Sequence, residues 1–218
     1  MSQMRPWGTA LAPQAVASIQ HGTLRYAYKG TPLLKDPFDL ALYPLLLWNL
    51  KPRTIIEIGS FAGGSACWFG DQLNSLGIDG HVHSFDIRRP AGVSHPRVTF
   101  WEADGRDLAA TITPELLASL PRPWLVIEDA DHHYETTRNV LAFFHAHLRP
   151  NEYVVVEDGI VSDMGGDAQY NGGPGRALLE FLTQHAGEYA IDAQYCDYFG
   201  HNFTWCTNGF IRKLEARA

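Results

Sequence analysis

The sequence predicts an α/β protein built on one mostly parallel sheet with helices on both faces. Three observations predict this fold: strand-like and helix-like segments alternate, a glycine-rich turn follows one strand, and acidic residues end several strands. Crossover helices return the chain to the same edge of a parallel sheet. The length of 218 residues fits a single domain, with an N-terminal arm and helical cap over residues 1–50 and the core over residues 51–218.

Hydrophobic periodicity and helix-start residues predict the elements. Asp36 and Pro37 are a typical N-cap and first helical residue, and we expect their helix to reach Leu50. The proline- and glycine-containing residues before it, about the first 30, are expected to be irregular. The expected strands are Arg53–Ile58, His81–Ile87, Arg97–Glu102, Trp124–Glu128, Tyr153–Glu157, Tyr189–Gln194 and Phe203–Lys213, the last with a bulge at Asn208 and Gly209. The expected helices are Ser65–Leu76, Pro114–Leu120, Tyr134–Leu148 and Pro174–His185.

Composition narrows the class of protein. A net charge of −7 and a pI of about 5.7, with no basic stripe, argue against a nucleic-acid partner. The longest apolar stretch, around Leu40 to Leu50, is too short to span a bilayer, and no signal peptide is apparent. Three cysteines without metal-ligand spacing fit a reducing compartment. We therefore expect a cytoplasmic enzyme or binding protein with no membrane partner.

The segment Thr54 to Ser65 reads Thr-Ile-Ile-Glu-Ile-Gly-Ser-Phe-Ala-Gly-Gly-Ser and is the most informative in the chain. A strand that ends in such a turn exposes backbone N–H groups to a nucleotide-like ligand. The dinucleotide-binding fingerprint requires glycine at position 61, where this chain has Phe61. This mismatch argues against one hypothesis for the function, an NAD-dependent dehydrogenase. Glu57 at the strand end suits a ligand that carries a cation, such as an amino acid or a sulfonium.

Acidic residues follow successive strands and should meet at one edge of the sheet. Asp86, after the second core strand, is placed to bind ribose hydroxyls, although alone it is as readily a turn residue. The acids after the fourth and fifth core strands are Asp129, Asp131, Glu157 and Asp158. Carboxylates this close repel one another unless some are protonated or a cation lies between them. Such oxygens suit Mg²⁺, Mn²⁺ or Ca²⁺. The alternative is that they are helix caps and solvated charges, Asp131 above all.

Two histidines and one loop complete the candidate site. His132 and His133 follow the fourth-strand acids and are candidates for a general base or for ligands to a softer metal, with surface positions at a helix start as the alternative. Residues Gly159 to Gly173 form a glycine-rich loop directly after the fifth strand and are a candidate lid.

The segment Glu57 to Ser65 resembles the S-adenosylmethionine loop of class I methyltransferases, in the Glu-x-Gly-x-x-x-Gly-x-Ser form of the divalent-cation-dependent O-methyltransferases. The chain resembles most closely the cephalosporin hydroxylase family, which is similar to macrolide-sugar O-methyltransferases. The shared features are Tyr28-Lys29-Gly30-Thr31-Pro32, Lys35-Asp36-Pro37, Asp39, Tyr43, Lys51-Pro52, Asp129-Ala130-Asp131-His132 and Glu157-Asp158. This resemblance covers roughly residues 25 to 213.

The resemblance implies a Rossmann-like class I methyltransferase fold, with a seven-stranded, mostly parallel sheet and an antiparallel last strand. It implies cofactor-binding roles for Glu57, Gly59, Ser60, Phe61, Gly63, Ser65, Asp86, Asp104, Gly105 and Asp129. The implied metal ligands are Asp129, Glu157 and Asp158, with Asp131 as an alternative to Asp129. His132 matches a position proposed as the base in the sugar-modifying relatives, and the adjacent His133 could hold that position instead. Asp131, next to His132, is the third candidate catalytic residue. The lysine that catechol-type enzymes carry near the fourth-strand acid is absent here, which argues against a lysine as the base.

The first hypothesis is therefore an S-adenosylmethionine-dependent O-methyltransferase, assisted by Mg²⁺ or another divalent cation, that acts on a hydroxyl of a small sugar or natural product. The second is a non-catalytic protein that binds S-adenosylmethionine or a nucleoside and assists a hydroxylation or biosynthetic pathway. The carboxylates favour the enzyme, because a binding protein has little reason to keep so costly a cluster. The resemblance also implies a tendency to form homo-oligomers.

Overall fold

The computed structural model describes residues 5–216. Its α-helices are α1 Pro13–Thr23, α2 Pro37–Leu50, α3 Gly64–Ser75, α4 Pro114–Ser119, α5 Tyr134–His145, α6 Gly173–Gln184 and α7 Ala193–Cys196. Its strands are β1 Ala27–Tyr28, β2 Thr31–Pro32, β3 Thr54–Ile58, β4 His81–Asp86, β5 Val98–Glu102, β6 Trp124–Glu128, β7 Tyr153–Val156, β8 Tyr189–Ile191 and β9 Phe210–Lys213. No helix in this part of the chain is long and apolar enough to cross a membrane.

The main sheet has seven strands in the order β5-β4-β3-β6-β7-β9-β8. Strands β3 to β7 are parallel to their neighbours, and β9 runs antiparallel to both β7 and β8. The predicted fold, including the antiparallel last strand, is confirmed. Ile58 pairs with both Phe85 and Glu128, and Glu128 pairs with Val156, so four strands end at the same level. This register brings the acids that follow the strands to one edge of the sheet.

The sheet is buried on both faces. Successive residues of β3 point to opposite sides, so that Ile55 packs in the layer under α2 and α3 while Ile56 packs in the layer under α5 and α6. All five residues of β3 and all five of β6 are buried. This is why the central strands read as continuous apolar runs rather than as alternating patterns.

The N-terminal segment differs from the prediction, because α1 is helical and not irregular. Pro13 lies in its first turn, where the missing N–H of proline leaves no helical hydrogen bond unmade. The helix buries Val16 against Ile160 and Trp205. Pro13 therefore marked the start of a helix here and not a loop.

The last two strands are shorter than predicted. Strand β8 ends at Ile191 because the carboxylate of Asp192 accepts a hydrogen bond from the Gln194 N–H (3.0 Å) and begins α7. Strand β9 begins only at Phe210, and its register with β7 is regular. The predicted bulge is wrong: Asn208, with φ of 54°, lies in the turn that precedes the strand.

Candidate active site

A cavity of about 540 Å³ opens at the carboxyl edge of the sheet. Its lining residues come from the turn after β3, the segments after β6 and β7, and the N-terminal cap. They are Gln20, Leu24, Pro32, Leu33, Leu34, Lys35, Gly59, Ser60, Phe61, Ser65, Asp129, Ala130, His132, Asp158, Val161, Met164, Gly166, Gln169, Tyr170 and Trp205. One side of the cavity is polar and contains the predicted cofactor loop, and the other side is largely apolar.

Gly59 is required by the close approach of the turns after β3 and β6. Its φ is 110°, and a Cβ atom built there would lie 1.8 Å from the carbonyl oxygen of Asp129. Only glycine accommodates both the conformation and this contact. Gly63, with φ of 83°, ends the same turn directly before α3. The two glycines give the loop the shape that the sequence predicted.

Asp86 holds the cofactor loop from the end of β4. Its Oδ2 accepts hydrogen bonds from the backbone N–H groups of Ser60 (2.9 Å) and Phe61 (2.8 Å). On the other side of the loop, the Ser84 hydroxyl donates to Glu57 Oε2 (2.5 Å) and lies 2.6 Å from the Ser60 hydroxyl. These contacts fix the conformation of the turn, and they add a positioning role for Asp86 to the predicted ribose contact.

A second cavity, of about 280 Å³, adjoins the cofactor loop after β3 and is bounded by the segments that follow β4, β5 and β6. It is lined by Asp86, by Asp104 and Gly105 after β5, and by Asp131 after β6. Asp131 forms an ion pair with Arg106 (2.8 Å). The structure thus brings the predicted ribose and adenine residues together, and it places Asp131 with them rather than with the other acids.

The three carboxylates predicted as metal ligands surround a buried lysine. Lys35 Nζ lies 2.9 Å from Asp129 Oδ2 and 2.6 Å from Glu157 Oε1, and its side chain is 1% exposed. The Tyr43 hydroxyl also donates to Glu157 Oε1 (2.5 Å). On the opposite side, Asp158 Oδ2 lies 3.0 Å from His132 Nδ1. Each carboxylate is therefore held through one of its oxygens.

The electrostatics of this cluster follow from burial and from mutual repulsion. Burial and the Glu157 charge raise the pKa of Asp129 well above its usual value, whereas Asp158, despite its burial, has its pKa lowered by His132. Burial opposes the charge of Lys35, but the neighbouring carboxylates outweigh it and raise the lysine pKa well above its usual value. Lys35 is thus a fixed positive charge among acids.

His132 and His133 have different environments. His132 lines the larger cavity in a left-handed conformation (φ of 61°), and Asp158 raises its pKa to about 9 against the opposing effect of burial. His133 is the residue before α5, where its ring packs against Tyr170 with centroids 5.4 Å apart. The structure brings His132, and not His133, to the carboxylate cluster.

Lys35 and Tyr43 are site residues to which the sequence analysis gave no role. We expected no lysine near the fourth-strand acid, because none occurs close to it in the sequence. The lysine that contacts Asp129 is Lys35, which belongs to the N-terminal cap and precedes Asp129 by 94 positions. A signal was present: Lys35 directly precedes Asp36, the N-cap of α2, whose Oδ1 accepts from the Phe38 N–H (2.7 Å). That cap fixes where the lysine enters the core.

The candidate lid supplies part of the apolar side of the cavity. Its first residues, Gly159–Val161, form a buried turn of 3₁₀ helix, and the backbone N–H of Ile160 donates to the Trp205 carbonyl (3.2 Å). Met164 and Tyr170, farther along the loop, line the cavity beside Trp205. The rest of the loop is held as well, because Asp163 accepts from the Thr9 N–H (3.2 Å) and the Tyr170 carbonyl accepts from the Tyr134 N–H (3.1 Å). The role of a lid stays a prediction.

The comparisons with known proteins agree with this geometry. A family model described as "Rhamnosyl O-methyltransferase/CmcI" matches residues 21–214. The chain belongs to this family. The curated relatives include a rhamnosyl O-methyltransferase of Mycobacterium leprae, 29% identical over 84% of this chain and 81% of the relative. Another, of Mycobacterium tuberculosis, is 27% identical over 84% of this chain and 76% of the relative.

Solved structures support the same conclusion. A CmcI structure described as "Mg-SAM" superposes with a TM-score of 0.70 at 26% identity, over 88% of this chain and 78% of the other. A MycE structure, at 23% identity and a TM-score of 0.50, shows the shared fold over 65% of this chain and 41% of the other. This member of the rhamnosyl O-methyltransferase/CmcI family is an S-adenosylmethionine-dependent, Mg²⁺-assisted O-methyltransferase. The predicted activity and cofactors are confirmed.

Proposed function

We propose that this enzyme methylates a hydroxyl on the sugar ring of a small natural product, with Asp129, Glu157 and Asp158 as ligands of the divalent cation. The acceptor class rests on the curated relatives, which are named for a rhamnosyl group. The half-apolar cavity, with Leu24, Leu34 and Met164 opposite the carboxylates, suits an uncharged acceptor of that size. Association into homo-oligomers stays a prediction.

The free carboxylate oxygens carry this proposal. Asp129 and Glu157 are each held through one oxygen by Lys35, and Asp158 is held through one oxygen by His132. Among residues 5–216, no N–H group and no hydroxyl group donates to the second oxygen of any of the three, apart from the hydrogen bond that the Asp129 carboxyl makes to Asp158 when it is protonated. Three such oxygens on one side of a half-open cluster are the donor set that a hard divalent cation prefers.

The cofactor loop also fits the cationic cofactor. Glu57 is fully buried, and its Oε1 has no hydrogen-bond partner among the described residues. A buried acceptor without a partner is costly and favours a bound donor or cation nearby. The adjoining cavity bounded by Asp86, Asp104 and Gly105 has room for the nucleoside part. Phe61, 68% exposed beside it, can cover a bound ring.

The chemistry then divides between the bound groups and the chain. The cation would lower the pKa of the acceptor hydroxyl while the sulfonium supplies the methyl group. Within the chain, His132 is the candidate to accept the hydroxyl proton, since it lines the cavity and its Nδ1 is oriented by Asp158. The carboxylates that raise the His132 pKa are the ones that would hold the divalent cation, and the bound positive charge would lower that pKa and favour the neutral imidazole that a base requires. The apolar wall formed by Val161, Met164 and Trp205 excludes water from the reacting oxygen.

The sequence left open whether Asp129 or Asp131 is the metal ligand and which of the two adjacent histidines is the base, and the geometry favours one residue of each pair. We assign the metal-ligand role to Asp129 and not to Asp131, because Arg106 holds Asp131 beside the nucleoside cavity. We assign the base to His132, because it lines the cavity with its Nδ1 3.0 Å from Asp158, whereas His133 is not among the lining residues. Both assignments are proposals about residues that differ by one or two positions in the sequence.

Three matched variants test these roles. Asp158→Asn should weaken Mg²⁺ binding, measured by isothermal titration, at least about tenfold while S-adenosylmethionine still binds. His132→Gln should lower the rate of methyl transfer to a rhamnoside about 10²-fold or more at unchanged Mg²⁺ affinity. Asp131→Asn is the control for the metal role, and it should leave Mg²⁺ affinity unchanged. The opposite ranking of Asp131 and Asp158 would overturn the ligand assignment.

A further inference from the structure

A second cluster of metal-ligating side chains lies at the end of the sheet opposite the catalytic carboxylates. His145 is the last residue of α5, His185 follows α6, and Glu188 precedes β8. Helices α5 and α6 both begin near the carboxyl edge of the sheet and run back across it. Their ends therefore bring His145 and His185, 40 positions apart, to the amino edge, away from Asp129 and Asp158.

The geometry of the three side chains is that of a partly formed metal site. One nitrogen of each imidazole and one oxygen of Glu188 all lie within 4.8 Å of one another. His185 Nδ1 is 3.1 Å from Glu188 Oε1, and His145 Nε2 is 4.0 Å from Glu188 Oε2. The two ring centroids are only 3.8 Å apart. Two imidazoles this close repel when both are charged, so the neutral, ligating form of at least one is favoured.

The surrounding residues hold these rings in place. His145 Nδ1 lies 3.2 Å from the Tyr189 hydroxyl, which orients the ring and leaves Nε2 on the side of Glu188. Phe181 packs against both histidines, with centroids 5.8 Å and 4.7 Å away. A hydrogen bond on the second ring nitrogen and an apolar support are what metal-binding histidines ordinarily have.

The nearby charge indicates which cations fit. Lys213 Nζ lies 2.9 Å from Glu188 Oε2, so one carboxylate oxygen is already used and a positive charge is close. A cation held mainly by charge, such as Mg²⁺ or Ca²⁺, is disfavoured by that lysine and by the two nitrogen donors. Two imidazoles and one carboxylate oxygen are instead a donor set for Zn²⁺ and similar transition metals.

We propose that His145, His185 and Glu188 form a transition-metal site, of the Zn²⁺ type, that is separate from the catalytic Mg²⁺ site. The site would cross-link the ends of α5 and α6 to the turn before β8. A ligand that binds only the folded chain stabilises it, so Zn²⁺ bound here should raise the melting temperature. The side chains of His145 and His185 are about one quarter exposed, which leaves them accessible to the ion.

Zinc binding to the whole protein tests the proposal. Metal-free protein is titrated with ZnCl₂ in the presence of excess Mg²⁺ and S-adenosylmethionine, and bound zinc is counted after equilibrium dialysis. We expect wild type to bind one more Zn²⁺ ion than the His145→Gln/His185→Gln double variant, and Glu188→Gln to weaken that site at least about tenfold. The control is His147→Gln, which changes a histidine two positions from His145 that is not part of the cluster.

Two further measurements control for misfolding of the variants and for zinc bound at other positions. The double variant must still bind S-adenosylmethionine, and the zinc-dependent rise in melting temperature must disappear in it but persist in His147→Gln. Equal zinc stoichiometry and affinity in wild type and the double variant would overturn the proposal. Equal losses in His147→Gln and the double variant would do so as well, because zinc would then bind surface histidines without selection.

Discussion

At the scale of single residues, Gly59 carries the tightest constraint in the site. Gly59→Ala would place a Cβ atom 1.8 Å from the Asp129 carbonyl oxygen at a φ of 110°. We expect a loss of about 2–4 kcal/mol in the free energy of unfolding, from strain and forced movement of the backbone, together with loss of S-adenosylmethionine binding. Urea unfolding and calorimetric titration measure the two effects.

The matched control is Gly77→Ala. Gly77 also has a positive φ, of 64°, but no atom lies within 4 Å of its added Cβ. Only the backbone cost of about 1–2 kcal/mol should appear, with cofactor binding unchanged. If the two variants behave alike, the contact with Asp129 has no special importance and the loop tolerates a side chain at position 59.

Lys35 is the second residue with a specific expectation. Lys35→Met removes the positive charge between Asp129 and Glu157, so that Asp129 loses its ion-pair partner and buried Glu157 keeps only the Tyr43 hydroxyl. We expect the metal-free protein to lose about 3–5 kcal/mol of stability. Because Mg²⁺ would replace the missing charge, the rise in melting temperature that Mg²⁺ produces should be larger in this variant than in wild type.

Lys29→Met is the control for this prediction. Lys29 pairs with Asp71 at the surface and is 65% exposed, so its loss should leave the free energy of unfolding close to that of wild type. A Lys35→Met protein as stable as wild type without Mg²⁺ would show that the carboxylates are compensated in another way, and the role assigned to this lysine would then be wrong.

Residue-scale features differed in how far the sequence revealed them. Gly59, Asp86 and the acids after β6 and β7 could be predicted, because each lies next to a strand end and the parallel sheet brings strand ends together. Lys35 could not be assigned in this way. The N-cap Asp36 marks the start of the helix beside Lys35, but the contact of Lys35 with Asp129 depends on how the N-terminal cap packs on the core, and the sequence around Lys35 does not encode that packing.

At the scale of elements, strand β4 contains a histidine, His83, that makes the stability of the sheet depend on pH. Burial lowers the pKa of His83 to about 4, and its Nδ1 accepts a hydrogen bond from the Trp101 indole N–H (3.1 Å). In the unfolded chain the histidine pKa is about 6.5. Between these two values the unfolded state binds more protons, so stability falls as the pH is lowered from 6.5 toward 4.

The contribution of His83 should be about 1–2 kcal/mol after allowance for screening at a partly exposed strand. His83→Gln removes the titrating group, so its free energy of unfolding should fall less steeply than that of wild type between pH 6.5 and pH 4.5. Urea unfolding at several pH values gives the slopes. Parallel slopes in the two proteins would show that His83 titrates in the folded state as it does in the unfolded one.

Elements of the core were predictable and those at both ends of the chain were less so. The central strands are runs of β-branched residues bounded by turns, and a parallel sheet buried on both faces requires that pattern. Helix α1 buries mainly Val16 and has a proline in its first turn, so neither periodicity nor composition marked it. The early end of β8 depends on the cap made by Asp192, which only the structure shows.

At the scale of the whole molecule, the N-terminal cap forms part of the wall on the acceptor side of the cavity. Gln20 and Leu24 of α1 and its following turn line the acceptor side, whereas the cofactor loop belongs to the core. Arg5 ties the start of the described chain to Asp197 through two hydrogen bonds of 2.7 Å. Residues from both ends of the chain therefore close over a site whose catalytic groups come from its middle.

Deletion of residues 1–24 should separate acceptor binding from cofactor binding. Lys35 and α2 remain, so we expect S-adenosylmethionine and Mg²⁺ to bind with affinities close to those of wild type, while methyl transfer to the acceptor is lost with the wall that Gln20 and Leu24 provide. Stability should fall by more than the roughly 1.5–3 kcal/mol that burial of Val16 alone contributes, because Leu11 and Ile19 also pack against the cluster of Ile160 and Trp205. Arg5→Ala, which removes only the side-chain hydrogen bonds to Asp197, Asn202 and Asn208, should retain most of the activity. Full activity in the truncated protein would show that the acceptor binds without α1, and loss of cofactor binding would show that residues 1–24 are part of the core rather than a cap.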